Sequence, residues 1–189
     1  MIIMTKKICV FGSANPKPDT CAYQQAYTLG KLLGGAGLIV ITGGYMGTMA
    51  ATSQGAKEAG GHVIGATCQE IEDWRPVAHN KWVGEEWHCK TLIERLDKMT
   101  NSCDAAIALP GGVGTLLEIC LTWNLLAIDA MKPKPVILIG EEWHTVMRHL
   151  FLSLGDYIPI RNREFLAFAP NPEAAFEFLS HFLKLTNSN

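Results

Sequence analysis

Short apolar runs alternate with longer amphipathic stretches along most of this chain. Lys7 to Phe11 (KICVF), Leu38 to Thr42 (LIVIT), His62 to Ala66 (HVIGA), Asp104 to Leu109 (DAAIAL) and Val136 to Ile139 (VILI) are short, largely apolar runs. Runs this short, with little polar alternation, read as strands buried on both faces. Between them apolar residues recur at helical spacing. One such segment is capped by Asp19 or Thr20 and runs through Leu33, a second covers about Thr48 to Ala59, a third about His88 to Asn101, and a fourth 115–130. Glu141 to Leu152 and Asn171 to Leu183 complete the helices, the last opened by Asn171-Pro172-Glu173. Gly155 to Arg163 reads as a loop.

The pattern dissolves between Thr67 and Trp87, a stretch holding Trp74, Trp82, Trp87 and the acids of Glu70-Ile71-Glu72-Asp73. An ordered loop of about 20 residues is uncommon in a compact domain and often functional. Elsewhere the alternation of strand and helix predicts an α/β fold. We expect a single doubly wound Rossmann-like domain over 1–189, its parallel sheet flanked by helices. No internal repeat, low-complexity segment or linker interrupts it.

In such sheets ligands bind beyond the carboxyl ends of the strands, where the strand order reverses. Three glycine-bearing turns fall on that edge: Gly12-Ser13, Gly43-Gly44 through Gly47, and Gly111-Gly112-Val113-Gly114 followed by Thr115. A lone glycine pair is more often a tight turn than a ligand site, but three on one edge point to a ligand. The third turn leads from a strand into a helix, so its backbone N–H groups and the helix N-terminus suit a phosphate. Glu118 follows on the first turn of that helix.

Composition narrows the function further. The 189 residues are 48% hydrophobic and 18% charged, with net charge −2 and a pI near 6.3. That charge supplies no basic footprint for nucleic acid, and no apolar run approaches a membrane span. The N-terminus lacks the ordered regions of a signal peptide. Six cysteines form no CxxC, and Cys9, Cys103 and Cys120 sit in apolar segments, so they are expected reduced and buried in a cytoplasmic protein. No metal site is expected, because the adjacent His88 and Cys89 do not point at one ion. No cofactor is expected either, since Lys57, Lys90 and Lys98 stand in no pyridoxal context.

The run PGGVGTLLE resembles the PGGxGTxxE signature of the LOG (LONELY GUY) family, nucleotide 5′-monophosphate phosphoribohydrolases formerly described as lysine decarboxylase-like. The resemblance spans roughly 7–150 and includes CVFGSA, GGYMGTMAATSQGAKEAGGHVIG and ERLDKMTNSCDAAIALPGGVGTLLE. It implies that Arg95 and Glu118 are catalytic, that the Gly111–Thr115 loop holds phosphate, and that Glu70 contacts substrate. It also implies assembly as a homodimer or higher homo-oligomer. The chain departs from the pattern at Leu96, where the family has lysine, at Thr42-Gly43-Gly44 in place of a glycine triplet, in the longer tryptophan-rich stretch 67–90, and at Thr122-Trp123. It therefore resembles a divergent branch.

The implied reaction is hydrolysis of the N-glycosidic bond of a purine or cytokinin-type nucleoside 5′-monophosphate, releasing base and ribose 5-phosphate. Its oxocarbenium-like transition state needs a phosphate anchor, a carboxylate near the anomeric carbon and an activated water. Gly111 to Thr115 would anchor, Glu118 would stabilise the cation or activate water, and Arg95 would grip phosphate or assist the leaving base. Structural roles compete with each: Glu118 can serve the helix dipole, Arg95 can be a solvated surface residue, and the tryptophans can be packing. Tyr45 covers a ribose or caps the sheet. The alternative function is a non-hydrolytic binding or carrier protein for a nucleotide or molybdenum cofactor, as in related Rossmann proteins.

Overall fold

A computed structural model describes residues 5–186. In chain order its elements are β1 (Lys7–Phe11), α1 (Cys21–Gly35), β2 (Ile39–Thr42), α2 (Thr48–Glu58), β3 (His62–Cys68), α3 (Gln69–Trp74), β4 (Glu85–Cys89), α4 (Leu92–Asn101) and β5 (Ala105–Ala108). Then follow α5 (Val113–Ala127), β6 (Val136–Ile139), α6 (Glu141–Leu154), α7 (Ile160–Arg163), β7 (Leu166–Ala169) and α8 (Pro172–Thr186). All the strands are parallel, in the order β4-β3-β2-β1-β5-β6-β7. The order runs outward from β1 in both directions, so the switch point lies between β1 and β5.

Helices cover both faces. Leu29 and Leu33 of α1, Ala51 and Ala56 of α2, and Ala175 and Leu179 of α8 pack on one side, against Ile8, Val10, Val40 and Ile107. Met99 of α4, Ile119 and Leu126 of α5, and Trp143 and Met147 of α6 pack on the other, against Cys9, Phe11, Ile41 and Leu138. Successive strand residues point to opposite faces, which is why the central strands read as unbroken apolar runs. Thr20 caps α1 as expected, its hydroxyl accepting from the Tyr23 amide at 3.3 Å.

Two strands escaped the sequence reading. β4 straddles the end of the stretch expected to be patternless and the start of the expected helix, and its sequence EEWHC is largely exposed. An edge strand needs few apolar side chains: β4 is held by its ladder to β3, with Ile64 opposite Glu85 and Cys68 opposite Cys89. The helix expected from His88 consequently starts at Leu92, with Thr91 as its cap. β7 closes the other edge, and a 3₁₀ turn at Gly155–Tyr157 and α7 occupy the expected loop. Cys120 is exposed on α5, contrary to expectation, as is Cys21. α5 is apolar on its outer face as well as its inner one, with Val113, Leu116 and Leu117 exposed, so apolar neighbours do not report burial there. Among the described residues no helix is long and apolar enough to cross a membrane.

Candidate functional site

The turns after β1 and β5 lie side by side at the switch point and line a cleft of about 300 Å³ with Gly12, Ser13, Gly112, Gly114, Thr115 and Glu118. Gly112 is the N-cap of α5 and offers no capping side chain. The first helical bond runs from the Leu116 amide to the Gly112 carbonyl at 3.0 Å. The amides of Val113, Gly114 and Thr115 therefore precede the helical ladder, and the helix dipole points positive at the cleft. Gly111 is required by crowding: a Cβ there would meet the Thr115 side chain, which is buried beneath it. Val113 is 84% exposed and points away from the core.

The second glycine turn contributes differently from the expectation. Its Tyr45 and Met49 line the cleft, whereas Gly43, Gly44 and Gly47 support it from behind. Gly47 has φ +67°, and a Cβ on it would run into the backbone of Ser13 and Ala14. That close approach sets the β1 turn: the Ser13 carbonyl accepts from the Thr48 amide at 2.9 Å and the Thr48 hydroxyl at 3.1 Å. Gly44 donates its amide to the Thr42 hydroxyl at 3.2 Å, and its carbonyl accepts from the Asn80 backbone and side chain. The Gly43 carbonyl accepts from Arg95.

Arg95 and Glu118 meet at the floor. Both are buried, so Arg95 is no solvated surface residue and Glu118 does not serve an exposed helix end. Because α5 begins at Val113 rather than 115, Glu118 sits in its second turn, not the first. Arg95 donates Nε to the Ala66 carbonyl at 2.6 Å and a terminal nitrogen to the Gly43 carbonyl at 3.4 Å. Its other terminal nitrogen stands 3.8 Å from Glu118 Oε1, an ion pair rather than a hydrogen bond. Burial pushes the Glu118 carboxyl up to about 7, and Arg95 only partly opposes it. Leu96 packs in the core beside Arg95, so no lysine adds to that charge.

One wall comes from the tryptophan-rich stretch. Ile71, Trp74 and Arg75 line the cleft there. α3 is held in place by Tyr45, whose hydroxyl accepts from the Cys68 amide at 2.7 Å and donates to Glu72 Oε1 at 3.0 Å. Burial lifts this hydroxyl well above an ordinary phenol, with the Cys68 backbone opposing and Glu72 reinforcing the rise. Trp74 is 78% exposed, and the Arg75 guanidinium lies 5.6 Å from its ring centroid. Arg75 Nε is buried and donates to no acceptor among the described residues. Trp82 and Trp87 are half-buried and line no part of this cleft: Lys81 covers the first ring, and Lys7 and Lys98 flank the second. Nothing in the sequence had marked Arg75, whose neighbours follow no motif.

Glu70 lies elsewhere. It is exposed, and its carboxylate accepts from the Leu92 amide at 2.7 Å at the start of α4. The neighbouring Glu72, Glu86 and His88 form the one group of metal-type donors among the described residues, their ligating atoms within 4.8 Å of one another. Each is already engaged, Glu72 by Tyr45, Glu86 by the Thr67 hydroxyl at 2.6 Å, and His88 by Thr67 and Gln69. A larger cavity, about 720 Å³, opens at the opposite edge of the sheet. Two of its lysines are committed: Lys134 is buried and donates to the Thr100 and Cys103 carbonyls at 2.8 and 2.6 Å, and Lys6 pairs with Asp104 at 3.0 Å. The switch-point cleft, by contrast, keeps the amides of Val113, Gly114 and Thr115 ahead of the helical ladder.

Comparisons with known proteins show the family and the fold. Residues 5–155 match the SLOG cluster4 family. The chain is 31% identical over 183 residues to the probable cytokinin riboside 5′-monophosphate phosphoribohydrolase LOGL6 of Oryza sativa subsp. japonica, covering 94% of this chain and 71% of that one. It is 30% identical to the cytokinin riboside 5′-monophosphate phosphoribohydrolase LOG7 of Arabidopsis thaliana, covering 94% and 82%. A solved structure, the molybdenum cofactor binding protein of Rippkaea orientalis, superposes with a TM-score of 0.76 at 26% identity, covering 96% of this chain and 99% of that one.

Proposed function

The chain belongs to the SLOG cluster4 family, and from that premise we propose that it binds a phosphorylated planar heterocycle, the molybdenum cofactor or a purine nucleotide, and carries it without cleaving it. The phosphate takes the amides of Val113, Gly114 and Thr115, and the ring lies toward Trp74. The observation that supports carriage over hydrolysis is the lack of a second cation beside Glu118. Leu96 replaces the lysine of the hydrolase pattern, Arg95 is held by two backbone carbonyls, and the carboxyl sits near 7. Burial therefore favours the protonated form of Glu118, a poor stabiliser of an oxocarbenium-like state. The near end-to-end match to a molybdenum cofactor binding protein points the same way.

A second reading, the phosphoribohydrolase, is favoured by the same number seen otherwise. A carboxyl near 7 beside an arginine suits a group that takes a proton from water and returns it. Incubation with AMP and with GMP, followed by chromatography for free base and ribose 5-phosphate, separates the two. Carriage gives binding with no base released. Release that disappears in Glu118→Ala and Arg95→Ala establishes the hydrolase instead. We also propose that the exposed Val113, Leu116 and Leu117 of α5 and Val146 of α6 form a self-association face of a cytoplasmic homodimer or larger homo-oligomer, to be read by light scattering.

A further inference from the structure

Trp74 and Arg75 line the cleft apart from the phosphate amides. A tryptophan 78% exposed on a cleft wall offers a bare π-face, and planar rings stack on such faces. The helix that carries it, α3, is tied to Tyr45 through Glu72 and Cys68. Arg75 lies against the indole and carries the unpartnered buried Nε–H described above. Among the described residues no carboxylate comes within 4.0 Å of this guanidinium, although Arg95 and Arg163 both bond carbonyls. That Nε–H is shut off from solvent, so the contact open to a ligand falls to the terminal nitrogens of Arg75, which lines the cleft.

We propose that this pair selects the ring of the ligand: a bicyclic heterocycle with a carbonyl oxygen beside a ring-nitrogen acceptor, in preference to a 6-aminopurine. A guanidinium only donates. Guanine and hypoxanthine present O6 and N7 side by side, two acceptors for its fork, and an oxidised pterin presents its ring carbonyl and adjacent nitrogen in the same way. Adenine places an amino donor where the carbonyl stands, and faces Arg75 with a like group. The selection rests on the reading that this cleft takes a phosphorylated heterocycle, and it names which heterocycle.

Calorimetric titration of the full chain with GMP, IMP, AMP and ribose 5-phosphate tests it. GMP and IMP are expected to bind about tenfold tighter than AMP, or more. Arg75→Ala and Arg75→Gln should bring that ratio close to one, while Trp74→Ala weakens all three nucleotides alike. The comparison of nucleotides on the unmodified protein needs no variant to fold. AMP binding as tightly as GMP, or a ratio that survives Arg75→Ala, overturns the proposal. If ribose 5-phosphate binds but the bases are not discriminated, ring selection alone falls. If ribose 5-phosphate and all three nucleotides fail to bind, the cleft reading falls with it.

Discussion

Replacing Glu118 by glutamine removes a buried ionisation and leaves the shape nearly unchanged. Each tenfold change in proton affinity is worth about 1.4 kcal/mol. A carboxyl lifted from the ordinary 4.5 to about 7 therefore costs about 3 kcal/mol to ionise inside the folded protein. The sign follows from proton uptake. Between pH 4.5 and 7 the folded chain holds a proton on Glu118 that the unfolded chain has lost, so folding stability falls as pH rises through that window and levels off above it. Below pH 4.5 both states are protonated and the penalty is absent. Glu118→Gln carries no such proton, so the variant should match the parent near pH 4.5 and exceed it by about 3 kcal/mol at pH 8. Urea denaturation of both proteins between pH 4.5 and 8 reads this directly. Parallel stability curves across the range would mean that Glu118 ionises like a solvated glutamate, and the account of the floor would be wrong.

The wall and the far edge of the sheet give two further predictions. Tyr45→Phe leaves the Cys68 amide without its acceptor and Glu72 without its donor; it should destabilise the fold by about 1–3 kcal/mol and speed hydrogen exchange at the Cys68 amide, with unchanged exchange refuting the tether. Lys134→Met strips two carbonyls near the C-terminal end of α4 of their buried donor and should lower stability by about 1–3 kcal/mol in urea titration, without affecting ligand binding at the opposite edge.

What the chain reveals unaided depends on where each residue ends up. KICVF, LIVIT, HVIGA and VILI were legible because a strand covered by helices on both faces must be apolar throughout. EEWHC was not, because an edge strand takes its stability from backbone pairing, which leaves no mark in side-chain pattern. LAFA was hidden in the same way at the other edge. The glycines and Thr115 were legible through their spacing between a strand and a helix. Their division of labour was not: Gly12, Gly112 and Gly114 line the cleft, while Gly43, Gly44 and Gly47 hold up the wall behind Tyr45 and Met49. Arg75 became visible only when α3 and the β5 turn were brought together, since no local pattern distinguishes it from a solvated arginine.

A crystal structure of the protein grown with GMP tests the central claim most directly. The account predicts the phosphate on the amides of Val113, Gly114 and Thr115, an intact glycosidic bond, and the base against Trp74. A phosphate lodged instead among Lys6, Lys132 and Lys134 at the opposite edge, or ribose 5-phosphate without its base in the cleft, would contradict it.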